Sequence, residues 1–293
     1  MARSAGARLR MVAAMLIFGS IGIFVRSIPL PSSVIALVRG VIGSICLLGV
    51  MLARRMPIDK AAIRKNAKRL ALSGAAIGVN WILLFEAYRY TTVATATLCY
   101  YLAPVLVMLA SPFWLGEKLT GKRVACAACA LAGMVLVSGV ATGGADGDIL
   151  GVLLGIGAAC FYASVVLMNK RLSGIGAYDM TVAQLGIAAL VVLPYVLLTT
   201  DAAAFAAVDA GSLAMLVLVG VVHTGAAYCM YFSAVRDLRA QTAAILSYID
   251  PVSAILMAGI FLGEAATGVE LAGAALVLGS TLLSEVSIGK KRG

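Results

Sequence analysis

Ten separate stretches of about twenty mostly apolar residues divide this chain, and each is long enough to cross a lipid bilayer as a helix. They cover roughly 9–27, 32–53, 70–89, 92–115, 123–141, 149–168, 178–199, 211–234, 240–262 and 266–286. Inside lipid the backbone must satisfy its own hydrogen bonds, which leaves helices or a closed barrel. The apolar runs are continuous and lack the alternation of barrel strands, so helices are expected. Only 12% of the 293 residues are charged and 62% are hydrophobic, against about 25% charge in a water-soluble domain. That balance excludes an ordinary soluble enzyme and a disordered chain. The first stretch follows three arginines like a signal peptide; with no convincing cleavage site after it, a retained first helix is expected. The fold class is an all-α integral membrane protein with ten transmembrane helices.

The formal net charge of +10 is explained by where the charges lie. Alternate loops and the two termini hold 20 of the 23 basic residues: Arg3, Arg8 and Arg10; Arg54, Arg55, Lys60, Arg64, Lys65, Lys68 and Arg69; Lys118, Lys122 and Arg123; Lys170 and Arg171; Arg236 and Arg239; Lys290, Lys291 and Arg292. The opposite loops carry Asp146, Asp148, Asp201 and Asp209. The positive-inside rule then predicts a multi-pass protein of the cell's inner (plasma) membrane with both termini cytoplasmic. It also removes nucleic acid as the reason for the charge. No loop is long enough to hold a soluble domain. All six cysteines fall within apolar runs and read as buried, reduced packing residues, including the Cys126-x-x-Cys129 pair.

Sliding the chain against itself by 147 positions aligns Gly78 with Gly225, Ala87 with Ala234, Arg89 with Arg236 and Thr95-Ala96 with Thr242-Ala243. Tyr101 then meets Tyr248, Pro104-Val105 meets Pro251-Val252, and Gly116-Glu117 meets Gly263-Glu264. Near an offset of 144, Ser20 meets Ser164 and Arg26 meets Lys170. Two five-helix repeats follow, residues 1–143 and 147–293, in one membrane domain. Five is odd, so the second repeat enters the membrane from the other side. Inverted repeats are a device of transporters, whose substrate site lies between the repeats near the midplane.

The segment from Ala87 through Tyr101 to Pro104, followed by Leu115-Gly116-Glu117, resembles the EamA-type drug/metabolite transporters, as does its echo Ala234 to Pro251 with Leu262-Gly263-Glu264. The resemblance covers both repeats and includes an arginine in the second span, Arg39. It implies helices arranged around a central cavity and alternating access, often outward. Substrates in the family include amino acids and other metabolites, and more distantly sugar phosphates and nucleotide sugars. The second copy of the motif departs from the first at Asp250, opposite Ala103, and at Ser247, opposite Tyr100.

Several residues are candidates for substrate binding or coupling. Asp250 stands inside the ninth span beside Pro251; a carboxylate at that depth costs about 2.5–3.5 kcal/mol to insert and is expected to face a cavity or a partner. Pro251 also frees a carbonyl near Ser247. The competing role for Asp250 is an ion pair with Arg39 or Arg89. Glu86 and Arg89 share a helix face, which allows an intrahelical pair or a proton- or substrate-handling Glu86. Arg39 either anchors a substrate carboxylate or neutralises an acidic residue. His223, the only histidine, is a proton switch or a packing residue. Asn80, Trp81, Tyr100, Tyr101, Tyr228 and Tyr231 form a polar-aromatic set suited to lining a cavity for amphiphilic metabolites. Ser20 and Ser164 read as close-packing residues, and Pro104 and Pro251 as hinges or kinks. Gly116-Glu117 and Gly263-Glu264 are expected to end helices. Gly151-x-x-x-Gly155 serves either dimerisation or packing within the bundle.

No Walker A loop, dinucleotide fingerprint or HExxH motif is present in the sequence, so no enzyme activity, cofactor or metal is expected. The expected function is a secondary transporter that exports a small polar or amphiphilic metabolite, such as an amino acid, with or without proton coupling. The rival readings are a facilitated-diffusion carrier, a channel or a lipid scramblase. The expected partners are membrane lipids, the small-molecule substrate and, for a coupled carrier, protons, with the chain as monomer or homodimer.

Overall fold

The computed structural model describes residues 2–116, 120–137, 148–206, 208–238, 246–264 and 266–285. Glu117, Lys118, Asp146, Arg239, Thr242-Ala243, Lys290, Lys291, Arg292 and both repeat bounds at 143 and 147 lie outside the described residues, as do the side chains of Arg3, Arg123, Asp148 and Arg236.

Every regular element among the described residues is helical. The first two long helices are α1 (Ala2–Arg26) and α2 (Ser32–Ala53). A short surface helix, α3 (Lys60–Lys65), leads into α4 (Ala67–Tyr90). Then follow α5 (Val93–Tyr100), α6 (Ala103–Leu115) and α7 (Gly121–Val137). The chain continues through α8 (Asp148–Asn169) and α9 (Ala177–Thr199). Next, α10 (Ala210–Leu218) passes through a π-helical stretch, Val219–Ala226, into α11 (Ala227–Asp237). The last two are α12 (Ile249–Leu262) and α13 (Gly268–Glu285). Among the described residues, seven helical spans are long and apolar enough to cross a membrane by length and composition. The remaining apolar helices are shorter, at Val124–Leu136, Ile249–Leu262 and Gly268–Ser280.

The fourth apolar stretch, expected as one span, is one span over Val93–Trp114, with its helix interrupted at Tyr101–Leu102 between α5 and α6. A matching turn falls at Tyr248, before α12. Pro104 and Pro251 sit in the first turns after these breaks, where the absent N–H leaves no gap in the ladder. The helices that follow both end on a left-handed glycine, Gly116 at φ +70° and Gly263 at φ +69°, a conformation that other residues adopt only with strain.

Contacts between loops sort the helix ends into two groups. At one end Arg10 pairs with Asp237 at 2.8 Å, Asn66 exchanges hydrogen bonds with the backbone of Ser173, and Arg171 donates to the carbonyl of Trp114 and stacks on its ring. These segments all belong to the basic-rich set. At the other end Arg26 pairs with Glu264, Glu264 accepts from the N–H of Val93 at 2.9 Å, and Arg89 donates to the carbonyl of Leu30 at 2.6 Å. Between the ends, α4 packs against α8 and α9, α2 against α9 and the π-helical stretch, α1 against α11 and α12, and α7 against α13. Phe85, Leu185, Val93 and Leu47 fill the main core. Gly151 and Gly155 turn inward: a Cβ on either would come within 2.7 Å of Thr91 or Cys99. This motif therefore seats α8 on the α4–α5 turn and on α5 itself.

Candidate functional site

Asp250 occupies the first turn of α12, directly after the break at Tyr248. Its Oδ2 accepts a hydrogen bond from the Tyr101 hydroxyl at 2.7 Å, so the two helix interruptions meet. Its partner is this tyrosine, and it forms no ion pair with Arg39 or Arg89. The carbonyl of Asp250 accepts from Ser253 at 2.9 Å. A Cβ on Gly19 of α1 would lie 2.6 Å from that carbonyl, so α1 presses directly on this turn.

Arg39 is only 6% exposed. Its Nε donates to Thr224 Oγ1 at 2.9 Å. Its guanidinium carbon lies 4.4 Å from the ring centroid of Trp81 and 5.6 Å from that of Phe85. Two aromatic faces and a hydroxyl thus hold the cation. No carboxylate among the described residues forms an ion pair with it. Trp81 is buried and serves as the platform for this charge.

Tyr100 packs on Tyr101 and Tyr162, with ring centroids 6.2 and 5.2 Å away. Tyr228 meets Phe18 and Phe232 at 5.4 and 5.8 Å. Phe18 also touches Tyr231. Asp250, Tyr100 and Tyr101 are half-buried, and Tyr162 is 40% exposed.

The other candidates do different work. Glu86 and Arg89 do not pair: Glu86 accepts from Ser32 at 2.5 Å, while Arg89 reaches Leu30. Each ties α4 to the start of α2, where the helix N-terminus also favours a carboxylate. Asn80 is buried and donates to the carbonyl of Ala158 at 2.6 Å, which staples α4 to α8. His223 lies buried in the π-helical stretch, with Nε2 2.9 Å from Ser20 Oγ. The Ser20 hydroxyl also donates to the carbonyl of Ile17 at 2.8 Å. Among the described residues, Nδ1 of His223 has no hydrogen-bond partner. Ser247 is partly buried one residue before the Tyr248 turn.

Thr224 and Tyr162 were not among the residues singled out by sequence. Thr224 offered a weak signal, a hydroxyl in mid-span beside the only histidine. Tyr162 lies opposite Phe18 at the same offset of 144 that aligns Ser20 with Ser164, so an aromatic recurs there.

An all-helical bundle with opposite charges held inside its apolar spans defines a multi-pass membrane protein with a polar interior. The chain belongs to the EamA-like transporter family, whose profile matches residues 7–139 and 149–285. An uncharacterized transporter of Bacillus subtilis (strain 168), YxxF, is 30% identical over 257 residues, covering 87% of this chain and 81% of that protein. Protein RarD of Salmonella typhi is 28% identical over 196 residues, 67% of this chain and 64% of that one. A solved crystal structure matches the fold at TM-score 0.65 with 21% identity, covering 95% of this chain and 96% of that one. The family and the Bacillus subtilis relative are both named for transport.

Proposed function

We propose that this protein is a secondary transporter that exports a small amino-acid-like metabolite by alternating access. The observation that carries this reading is the pair Arg39 and Asp250. Each is a charge inside the bundle, each is held by neutral partners, and they do not neutralise one another. A guanidinium suits a carboxylate and a carboxylate suits an ammonium, so a zwitterion fits between them. The tyrosines around Asp250 supply apolar faces for an amphiphilic side chain. Asp250, His223 and Glu86 are the groups through which proton coupling would run.

The recurrence of a turn, a proline and a left-handed glycine 147 positions apart supports two inverted repeats, residues 1–143 and 147–293. The asymmetry of basic loops supports an inner-membrane protein with both termini in the cytoplasm.

The test is efflux from proteoliposomes loaded with a mixed metabolite pool, read by mass spectrometry with and without a pH gradient. Selective, saturable loss of amino-acid-like compounds supports the proposal. Unsaturable conductance would replace it with a channel, and lipid movement between leaflets with a scramblase. Asp250→Asn is expected to abolish transport or uncouple it from the gradient while the protein stays folded. Normal activity with normal pH dependence in that variant removes Asp250 from the site.

A further inference from the structure

The segment between α2 and α4 departs from what helix energetics favours. Lys60, Arg64 and Lys68 follow one another at i, i+4 spacing, as do Lys65 and Arg69. Asn66 kinks the chain between α3 and α4, yet its N–H still donates to the carbonyl of Ala62, and Leu70 N–H donates to Asn66. The helical spacing therefore carries across the kink, and like charges fall beside one another, an arrangement that destabilises a helix. Lys68 and Arg69 also sit in the first turn of α4, at the positive end of its dipole. All five side chains are exposed, and none forms an ion pair among the described residues. Arg54 and Arg55 add two more cations at the end of α2. Arg55 adopts φ +51°, a left-handed conformation in which glycine is the usual residue.

This charged surface is held in place. Asp59 caps α3 through the N–H of Ala62 at 2.8 Å. Ala62 is buried, and Asn66 bonds both the N–H and the carbonyl of Ser173. Asp179, buried in the first turn of α9, accepts weakly from the N–H of Asp59 at 3.5 Å. Both acids therefore point into the α3 anchorage. Leu52, Ile58 and Leu72 flank the cations as exposed apolar side chains.

We infer that α3 and the first turn of α4 form a binding surface for the phosphate headgroups of anionic lipids. The rigid row of unpaired cations supplies the charge complement. The apolar flank fits a ligand whose headgroup continues into acyl chain, which favours a lipid over a free phosphate.

The experiment compares the full-length protein with the variant Arg64→Gln/Lys65→Gln/Lys68→Gln, which keeps Arg54, Arg55, Lys60 and Arg69 to orient the chain. Thermal unfolding is followed in detergent with added phosphatidylglycerol, phosphatidylcholine or glycerol phosphate, and retained lipid is counted by native mass spectrometry. Phosphatidylglycerol is expected to raise the Tm of the parent protein by about 3 °C or more and to be retained. Both effects should be lost in the triple variant and kept in the control Arg8→Gln. Equal stabilisation by phosphatidylcholine, replacement by glycerol phosphate, or equal retention by the triple variant would overturn the inference. In the last case the charges serve only to orient the chain. If the triple variant does not fold, retention of phosphatidylglycerol over phosphatidylcholine by the single variant Lys65→Gln is compared with that by Arg8→Gln; a deficit confined to Lys65→Gln supports the surface, and equal retention overturns it.

Discussion

The Tyr101 hydroxyl and the Asp250 carboxylate lie 2.7 Å apart although 149 residues separate them in sequence. Each belongs to a place where a span stops being one continuous helix. A hydrogen bond to a charged group contributes about 1.5–3 kcal/mol. If the contact orders the transport site, Tyr101→Phe should slow initial efflux by about 10- to 100-fold with little change in Tm. Parent-like efflux from Tyr101→Phe would make the contact incidental.

Arg39 depends on shape as well as charge. Lysine at this position would keep the cation but lose the Nε–H donor to Thr224 and the flat stacking on Trp81. With about 0.5–2 kcal/mol in such a stack, Arg39→Lys is expected to raise the half-saturation concentration by roughly 10-fold. Thr224→Val should produce a smaller rise. Saturation curves for both variants check this, and unchanged curves would remove Arg39 from substrate binding.

Gly19 sits where α1 crosses the turn that carries Asp250. A Cβ there would lie 2.1 Å from Ser253 Oγ and 2.6 Å from the carbonyl of Asp250. Gly19→Ala is expected to destabilise the protein by about 1–3 kcal/mol. Adding Ser253→Ala should restore only part of this, because the backbone obstacle stays. Full rescue in thermal unfolding would show that the side chain alone was the obstacle.

Asp209 caps α10 outside the spans. The N–H of Ser212 donates to it at 2.8 Å, and this holds its carboxyl below the ordinary 3.8. A depressed carboxylate stabilises the fold above the unfolded value, and that contribution disappears as pH falls through the folded one. The Tm difference between the parent protein and Asp209→Asn should therefore narrow as pH drops below about 3.8. A gap that stays constant with pH would rule out this linkage.

Hydropathy made the spans legible, and the distribution of arginine and lysine sorted the loops into the two groups that the contacts at Arg10, Asn66 and Arg171 bring together. Helix ends were legible at Gly116 and Gly263, because a left-handed cap needs glycine there. Partners across the bundle were not. Glu86 and Arg89 share a helix face, but face geometry cannot show that Ser32 and Leu30 offer each of them a better bond. Likewise the contact of Ser20 with His223 joins residues 203 positions apart, and two small polar side chains carry no pattern that predicts it. Polar and charged residue types inside the spans were legible as candidates; the pairing of Arg39 with Thr224 needed the packing of α2 against the π-helical stretch.

That stretch has a consequence for how sequences of this kind can diverge. A π turn is an α-helix with a surplus residue taken up as a bulge, and each α-helical residue turns the chain by about 100°. A lineage that lost one residue between Val219 and Ala226 would keep an uninterrupted apolar run and would show only a single gap in alignment. In the folded chain the same event would turn one flank of the span against the other. Leu216, buried in the core, and Thr224, holding Arg39, could no longer both face inward. A deletion invisible to hydropathy would thus act as a rotation.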